Sequence, residues 1–224
     1  RLPKLVLLAE FTGDDQNKVL ERTKRTEKNL KQINVNTHVT SDVTEMRKYF
    51  VIRRESFNLL RHHLKNERTA PFIDDIIVEP KHLDIFLPRL IQILDDSTLR
   101  WTLQGHIGDG NFHIIPLINP SDPNITTIIP KVAKQVYDIV LEFHGSITAE
   151  HNDGIIRTPF VKQMFGEQMY KLFEEVKNIF DPKNIFNPGK KVGGTMDYAM
   201  THLKPMPRNT TSSVASMPNV ERNI

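Results

Sequence analysis

Three side chains of this sequence could share one divalent cation, and two of them stand in a single short stretch. Gln104-Gly105-His106-Ile107-Gly108-Asp109-Gly110-Asn111-Phe112-His113 is polar and glycine-rich, and it lies between Trp101-Thr102-Leu103 and an apolar run that continues to Leu117. Asp109-Gly110 near its centre predicts a two-residue hairpin turn. Pairing outward from that turn sets Gly108 against Asn111, Ile107 against Phe112 and His106 against His113. Directly opposed residues share a face, with Cβ atoms roughly 4.5–5.5 Å apart. Two neutral imidazoles at that spacing can ligate one Zn, Mn or Fe ion. The alternative is a pair of ordinary packing histidines in a half-buried ribbon, so a third ligand decides the matter. The best candidate is Glu150, in Gly145-Ser146-Ile147-Thr148-Ala149-Glu150-His151-Asn152-Asp153-Gly154, with His151 beside it. Two histidines and one carboxylate make an open site, with a position left for substrate or water.

Gly-His-x-Gly-Asp-Gly-Asn-x-His, then Gly-Ser-x-x-x-Glu-His, then Phe180-Asp181-Pro182-Lys183-Asn184-Ile185-Phe186-Asn187-Pro188-Gly189-Lys190, occur here in that order. Together they resemble the C-terminal domain of FAD-linked oxidases related to vanillyl-alcohol oxidase, over a span from about residue 4 to residue 193. The resemblance implies oxidation of a 2-hydroxy acid of the D-lactate, glycolate or 2-hydroxyglutarate type, with hydride passing from the α-carbon to the flavin N5. It makes His106, His113 and Glu150 the metal ligands and His151 the general base for the substrate hydroxyl. A divalent cation on the hydroxyl lowers the alcohol pKa, and a second positive charge on an imidazole beside it is disfavoured, which is the neutral state a base needs. The resemblance also implies that Arg53 reaches the substrate carboxylate, for which a guanidinium fork is suited, and that Asn187 and Lys190 lie beside the flavin. Read without it, Arg53 is a solvated helix arginine among Arg47, Lys48 and Arg54, and Asn187-Pro188-Gly189 is a turn.

Several positions depart from the family pattern. The usual Glu-His-Gly-x-Gly is Glu150-His151-Asn152-Asp153-Gly154, an asparagine two places after the second histidine is Ile115, and a substrate-assisting threonine is Phe57. These changes leave the triad intact, and they open the site to a different or larger hydroxy acid, or the chain to being an inactive relative. Two other classes use the same residues differently: a metal-dependent hydrolase with His151 as base, and a ferredoxin-like binding module without catalysis.

Composition narrows the partners. The 30 basic residues are interleaved with 27 acidic ones for a net charge of +3, which leaves no continuous basic footprint for nucleic acid. The absence of cysteine removes disulfides, thiolate nucleophiles and Cys-ligated clusters. No apolar run approaches the ~20 residues of a membrane span, so the expected place is the cytoplasm, in solution or peripheral to a membrane. The expected partners are a small hydroxy acid and the N-terminal FAD-binding domain of the same protein, with a homodimer or an electron-acceptor protein as further ones. Arg1 is not a methionine and an apolar run follows almost at once, so the expectation is a piece of something longer, with FAD bound mainly by a domain that precedes it.

The elements that must position these groups follow from periodicity. Strands are expected over Leu5 to Phe11, Val35 to Thr40 and Ile73 to Val78, before the Trp101–Leu117 hairpin. Asp14-Asp15 and Ser41 or Asp42 are caps for helices running to about Gln32 and Lys65. A helix starts at Pro80, with Pro88 marking a kink or a boundary, and another runs from about Thr126 to Phe143. Pro159 to Phe165 and Glu167 to Phe180 read as two helices punctuated by Gly166. The order predicts an α+β fold, a ferredoxin-like plait with a largely antiparallel sheet and helices on one face, plus C-terminal helices. Residues 1–194 form the domain, and 195–224 are expected to be a disordered tail.

Overall fold

The computed structural model describes residues 5–203, which divide into two compact units between Leu64 and Lys65. Among these residues no helix is long and apolar enough to cross a membrane.

The first unit holds two helices, α1 (Gln16–Gln32) and α2 (Val43–His63). Both begin where an acidic cap was expected: Asp15 accepts the N–H of Asn17 and Lys18, and Asp42 accepts that of Glu45 at 2.7 Å. Each carboxylate satisfies donors that a helix start leaves unpaired. The strands expected over Leu5 to Phe11 and Val35 to Thr40 do not form. A strand needs a ladder partner as well as an apolar sequence, and among the described residues of this unit no strand is formed.

The second unit is built on β4 (Asn111–Ile118). Strand β3 (Arg100–His106) runs antiparallel along one edge, while β1 (Arg68–Thr69) and β2 (Ile76–Ile77) follow one another along the other. An antiparallel bridge from Ile77 to Ser146 extends the sheet beyond β2. The lateral order Ser146, β2, β4, β3 is that of the βαββαβ plait. Only two residues of the expected Ile73–Val78 strand pair, because the chain turns at Asp75, whose φ of 66° leaves the extended region.

Helices α3 (Leu83–Asp96) and α4 (Ile125–Glu142) cover one face. Phe86, Leu90 and Leu94 of α3 and Ile129, Val132, Val136 and Val140 of α4 join Phe112, Ile114 and Ile118 of β4 in one apolar cluster. Tyr137, fully buried, donates its hydroxyl to the Phe72 carbonyl at 2.7 Å. Strand alternation therefore aims His113 at the opposite face, away from these helices. Pro88 sits inside α3 without ending it. Helix α5 (Gly154–Phe180) is broken at Gly166, with φ 78° and ψ 168°, as the sequence led us to expect. A short helix, α6 (Met196–Thr201), with Ala199 buried, occupies the first part of the stretch expected to be a tail. The rest of that stretch, from 204 on, lies outside the described residues.

The hairpin differs from expectation in a way that matters. His106 pairs with Asn111 and Gln104 with His113, so the connection is the four residues Ile107–Gly110 instead of Asp109-Gly110 alone. Ile107–Asp109 form a tight helical turn, and Gly110 follows in the left-handed region at φ 74°. Its carbonyl accepts the N–H of Val78 at 3.1 Å, and a Cβ added there would lie 1.8 Å from the Val78 oxygen. The longer loop moves the pairing by two residues. A shift of one would have turned a histidine to the other face, whereas a shift of two keeps both on the same one.

Candidate metal and active site

His106 and His113 are thus diagonal neighbours across the ribbon, not directly opposed, with ring centroids 6.0 Å apart and planes at 81°. Glu150 reaches both from the loop before α5. Its Oε1 lies 3.3 Å from His106 Nε2, and its Oε2 lies 3.6 Å from His113 Nε2. Two donors bound at ~2.0–2.1 Å to one tetrahedral ion are about 3.4 Å apart. Each histidine thus stands near Glu150 at about the spacing of two ligands on one ion, His106 to one carboxylate oxygen and His113 to the other.

The Glu150 loop is held by a residue the sequence reading passed over. Asp75 is fully buried, and its carboxylate accepts the backbone N–H of Ala149 at 2.9 Å, Glu150 at 3.0 Å and His151 at 2.8 Å. The Thr148 hydroxyl at 3.1 Å and the Asn111 amide at 3.2 Å complete the set. Burial works against the charged form, but these hydrogen bonds outweigh it and hold the Asp75 pKa below the ordinary carboxylate value. One oxygen each of Asp75 and Glu150 and one nitrogen each of His113 and His151 lie within 4.8 Å of one another. Asp75 is scaffold in this arrangement, since its lone pairs are taken by five donors, and His106 stands outside this group, meeting it through Glu150.

Asp74 faces the other way from its neighbour. Its Oδ1 lies 3.0 Å from His113 Nδ1, and this hydrogen bond, against the opposing effect of burial, raises the His113 pKa above its ordinary 6.5. Arg157, only 6% exposed, donates to the Asp74 carbonyl at 3.0 Å and stands 3.8 Å from Asp75 Oδ2. That cation balances part of the acidic charge gathered here. The signal for both acids was present in Ile73-Asp74-Asp75-Ile76, since charges inside an apolar run must find partners.

His151 lies within the same cluster. Its ring centroid is 5.4 Å from that of His113, and its Nε2 is 4.0 Å from Glu150 Oε2. The His106, Glu150 and His151 side chains are 41%, 47% and 52% exposed, against 15% for His113. One side of the cluster is therefore open to a small molecule.

The other two expected groups lie apart in sequence and in kind. Asn187 and Lys190 share a turn after α5, where Lys190 Nζ is 3.4 Å from Asn187 Oδ1. That turn is tied back to α5: the Lys191 N–H donates to Thr158 Oγ1 at 2.7 Å, and Lys191 Nζ meets buried Asp153 at 2.5 Å, two residues past His151. Arg53 is an exposed residue of α2 in the first unit.

The family model for FAD linked oxidases, C-terminal domain, matches residues 3–191. Similar curated proteins include the D-2-hydroxyglutarate dehydrogenase of Escherichia coli (strain K12), 26% identical over 191 residues that cover 82% of this chain and 19% of the relative. The D-2-hydroxyglutarate dehydrogenase of Pseudomonas putida is 27% identical over 187 residues, covering 82% and 18%. The mitochondrial D-lactate dehydrogenase (cytochrome) of Arabidopsis thaliana is 29% identical over 120 residues, covering 54% and 21%. The chain spans about a fifth of the length of these relatives.

Proposed function

This chain belongs to the FAD-linked oxidase C-terminal domain family, and on that premise we propose that it is the substrate-side part of an FAD-dependent oxidoreductase acting on a 2-hydroxy acid. The substrate is of the D-lactate, glycolate or 2-hydroxyglutarate type. The observation that carries the reading is the Glu150 carboxylate standing 3.3 Å from one histidine Nε2 and 3.6 Å from another, with His151 next in sequence. Membership of a flavin-linked family weighs against the hydrolase that the same ligands would also allow.

His106, His113 and Glu150 would hold a divalent cation of the Zn, Mn or Fe kind, which would supply Lewis acidity that lowers the pKa of the substrate hydroxyl. FAD, held mainly by another domain in this reading, would be the acceptor of the substrate hydride. The chain's own part is orientation and proton handling. His151 takes the hydroxyl proton on a ring nitrogen, for which that nitrogen must come within roughly 2.6–3.2 Å of the substrate oxygen. Arg53 grips the substrate carboxylate with two parallel N–H groups. Asn187 and Lys190 meet the flavin from a turn that also exposes Ile185 and Phe186, a mixture suited to a ring system with one apolar and one polar edge. The second half of α5 exposes Met169, Leu172, Val176, Ile179 and Phe180 at helical spacing. An apolar stripe of that length supports a covering partner, and the FAD-bearing domain fills that role in this reading.

The test is made on the full-length protein with its flavin. Addition of D-lactate, glycolate or D-2-hydroxyglutarate without oxygen should bleach the flavin absorbance, and His151→Asn should abolish the bleaching. A flavin that stays oxidised with all three acids overturns the proposal.

A further inference from the structure

We propose that Asp74 is a positioning residue that fixes His113 with its ring proton on Nδ1, so that the Nε2 lone pair is aimed at the space beside Glu150. The inference rests on the metal reading above and assigns a role to a residue outside the ligand set. Three observations carry it. First, Asp74 Oδ1 lies 3.0 Å from His113 Nδ1, and a carboxylate at that distance can only accept, so the proton must be on the imidazole nitrogen. Second, both partners are largely shielded, at 13% and 15% exposure, where water competes little for the bond and the bond is correspondingly stronger. Third, Asp74 is itself held: its carbonyl accepts Arg157 Nη1 at 3.0 Å, and the turn at Asp75, with φ 66°, sends the two neighbouring carboxylates to different tasks.

The arrangement does chemical work because a neutral imidazole left alone favours its proton on Nε2, which would block the nitrogen that faces Glu150. A carboxylate on Nδ1 reverses that preference, holds the ring plane, and makes Nε2 the better donor to a cation. Such partners of metal-binding histidines typically contribute 10- to 100-fold in affinity. His106 makes its approach to Glu150 through Nε2 as well, whereas Asp74 meets His113 Nδ1 at 3.0 Å through one oxygen and stands 4.0 Å from His151 Nδ1 with the other.

The experiment uses the full chain and Zn²⁺ alone as the probe, measured by chelator competition for the wild type, Asp74→Ala and Asp74→Asn. Asp74→Ala should weaken zinc binding roughly 10- to 100-fold, and Asp74→Asn, whose amide oxygen can still accept from Nδ1, should recover most of the loss. In parallel, ¹⁵N-resolved NMR of the metal-free wild type, above the range where imidazoles titrate, should find the His113 proton on Nδ1. Zinc affinity of Asp74→Ala within threefold of the wild type, or a His113 proton on Nε2, overturns the inference. Absence of zinc binding by the wild type would defeat the metal reading, and the NMR measurement, which needs no metal and no folded variant, would still decide the role of Asp74.

Discussion

The buried carboxylate of Asp75 accepts the backbone N–H of His151 at 2.8 Å, across the space between β2 and the loop that leads into α5. The same carboxylate takes the N–H groups of Ala149 and Glu150. One side chain thus sets the backbone of the segment that carries both a candidate ligand and a candidate base. Asp75→Ala would strip these donors of their acceptor inside the protein. A buried donor left unpaired costs ~1–3 kcal/mol. We expect a loss of about 3 kcal/mol or more, measured by denaturant unfolding as a lower midpoint at unchanged slope. A loss below about 1 kcal/mol would show that the loop is held by something else.

The hairpin depends on Gly110 for two separable reasons, its left-handed φ of 74° and the 1.8 Å approach that a Cβ would make to the Val78 oxygen. Gly110→Ala adds ~1–3 kcal/mol of backbone strain, and the collision with Val78 adds to it. The expected result is a thermal midpoint lowered by several degrees, together with weaker zinc binding, because His106 would move with the loop. Gly108, whose added Cβ would meet nothing within 4 Å, is the control, and Gly108→Ala should leave zinc binding near that of the wild type. Equal tolerance of alanine at both positions would contradict this account of the loop.

Much of this organisation was legible in the sequence because it is written in local chemistry. The caps at Asp15 and Asp42, the break at Gly166 and the face shared by His106 and His113 follow from rules that act over a few residues. The loop length did not follow, since Asp109-Gly110 suits both a two-residue turn and the end of a four-residue one. What chose the longer loop was the approach of Val78, a contact from another element. Asp74 and Asp75 were hidden for a similar reason: their partners, His113 and the amides of Ala149 to His151, are distant in sequence. The strands expected at Leu5 to Phe11 and Val35 to Thr40 show the converse case, where an apolar pattern was present and, among the described residues, no ladder forms on it.

Acid should loosen the turn that carries Asn187 and Lys190 through Asp181. Its carboxylate is held below its ordinary pKa of 3.8 chiefly by the hydrogen bond from Lys177, with burial opposing, and then by the N–H groups of Ile185 at 2.8 Å and Phe186 at 2.9 Å. A depressed folded-state pKa stabilises fully above the unfolded value and is lost as pH falls through the folded one. Hydrogen-exchange protection of the Ile185 and Phe186 amides should therefore hold steady down to the ordinary value and fall below it. Asp181→Asn should remove that dependence. Protection that declines already near neutral pH would assign the turn to another group.

The central claim is that His106, His113 and Glu150 hold one divalent cation between them, and crystals of the protein soaked with zinc test it most directly. Anomalous scattering at the zinc edge should give one dominant peak, ~2.0–2.2 Å from Nε2 of each histidine and from a carboxylate oxygen of Glu150. No peak at these three side chains, or a zinc ion held elsewhere while they stay apart, would contradict the account.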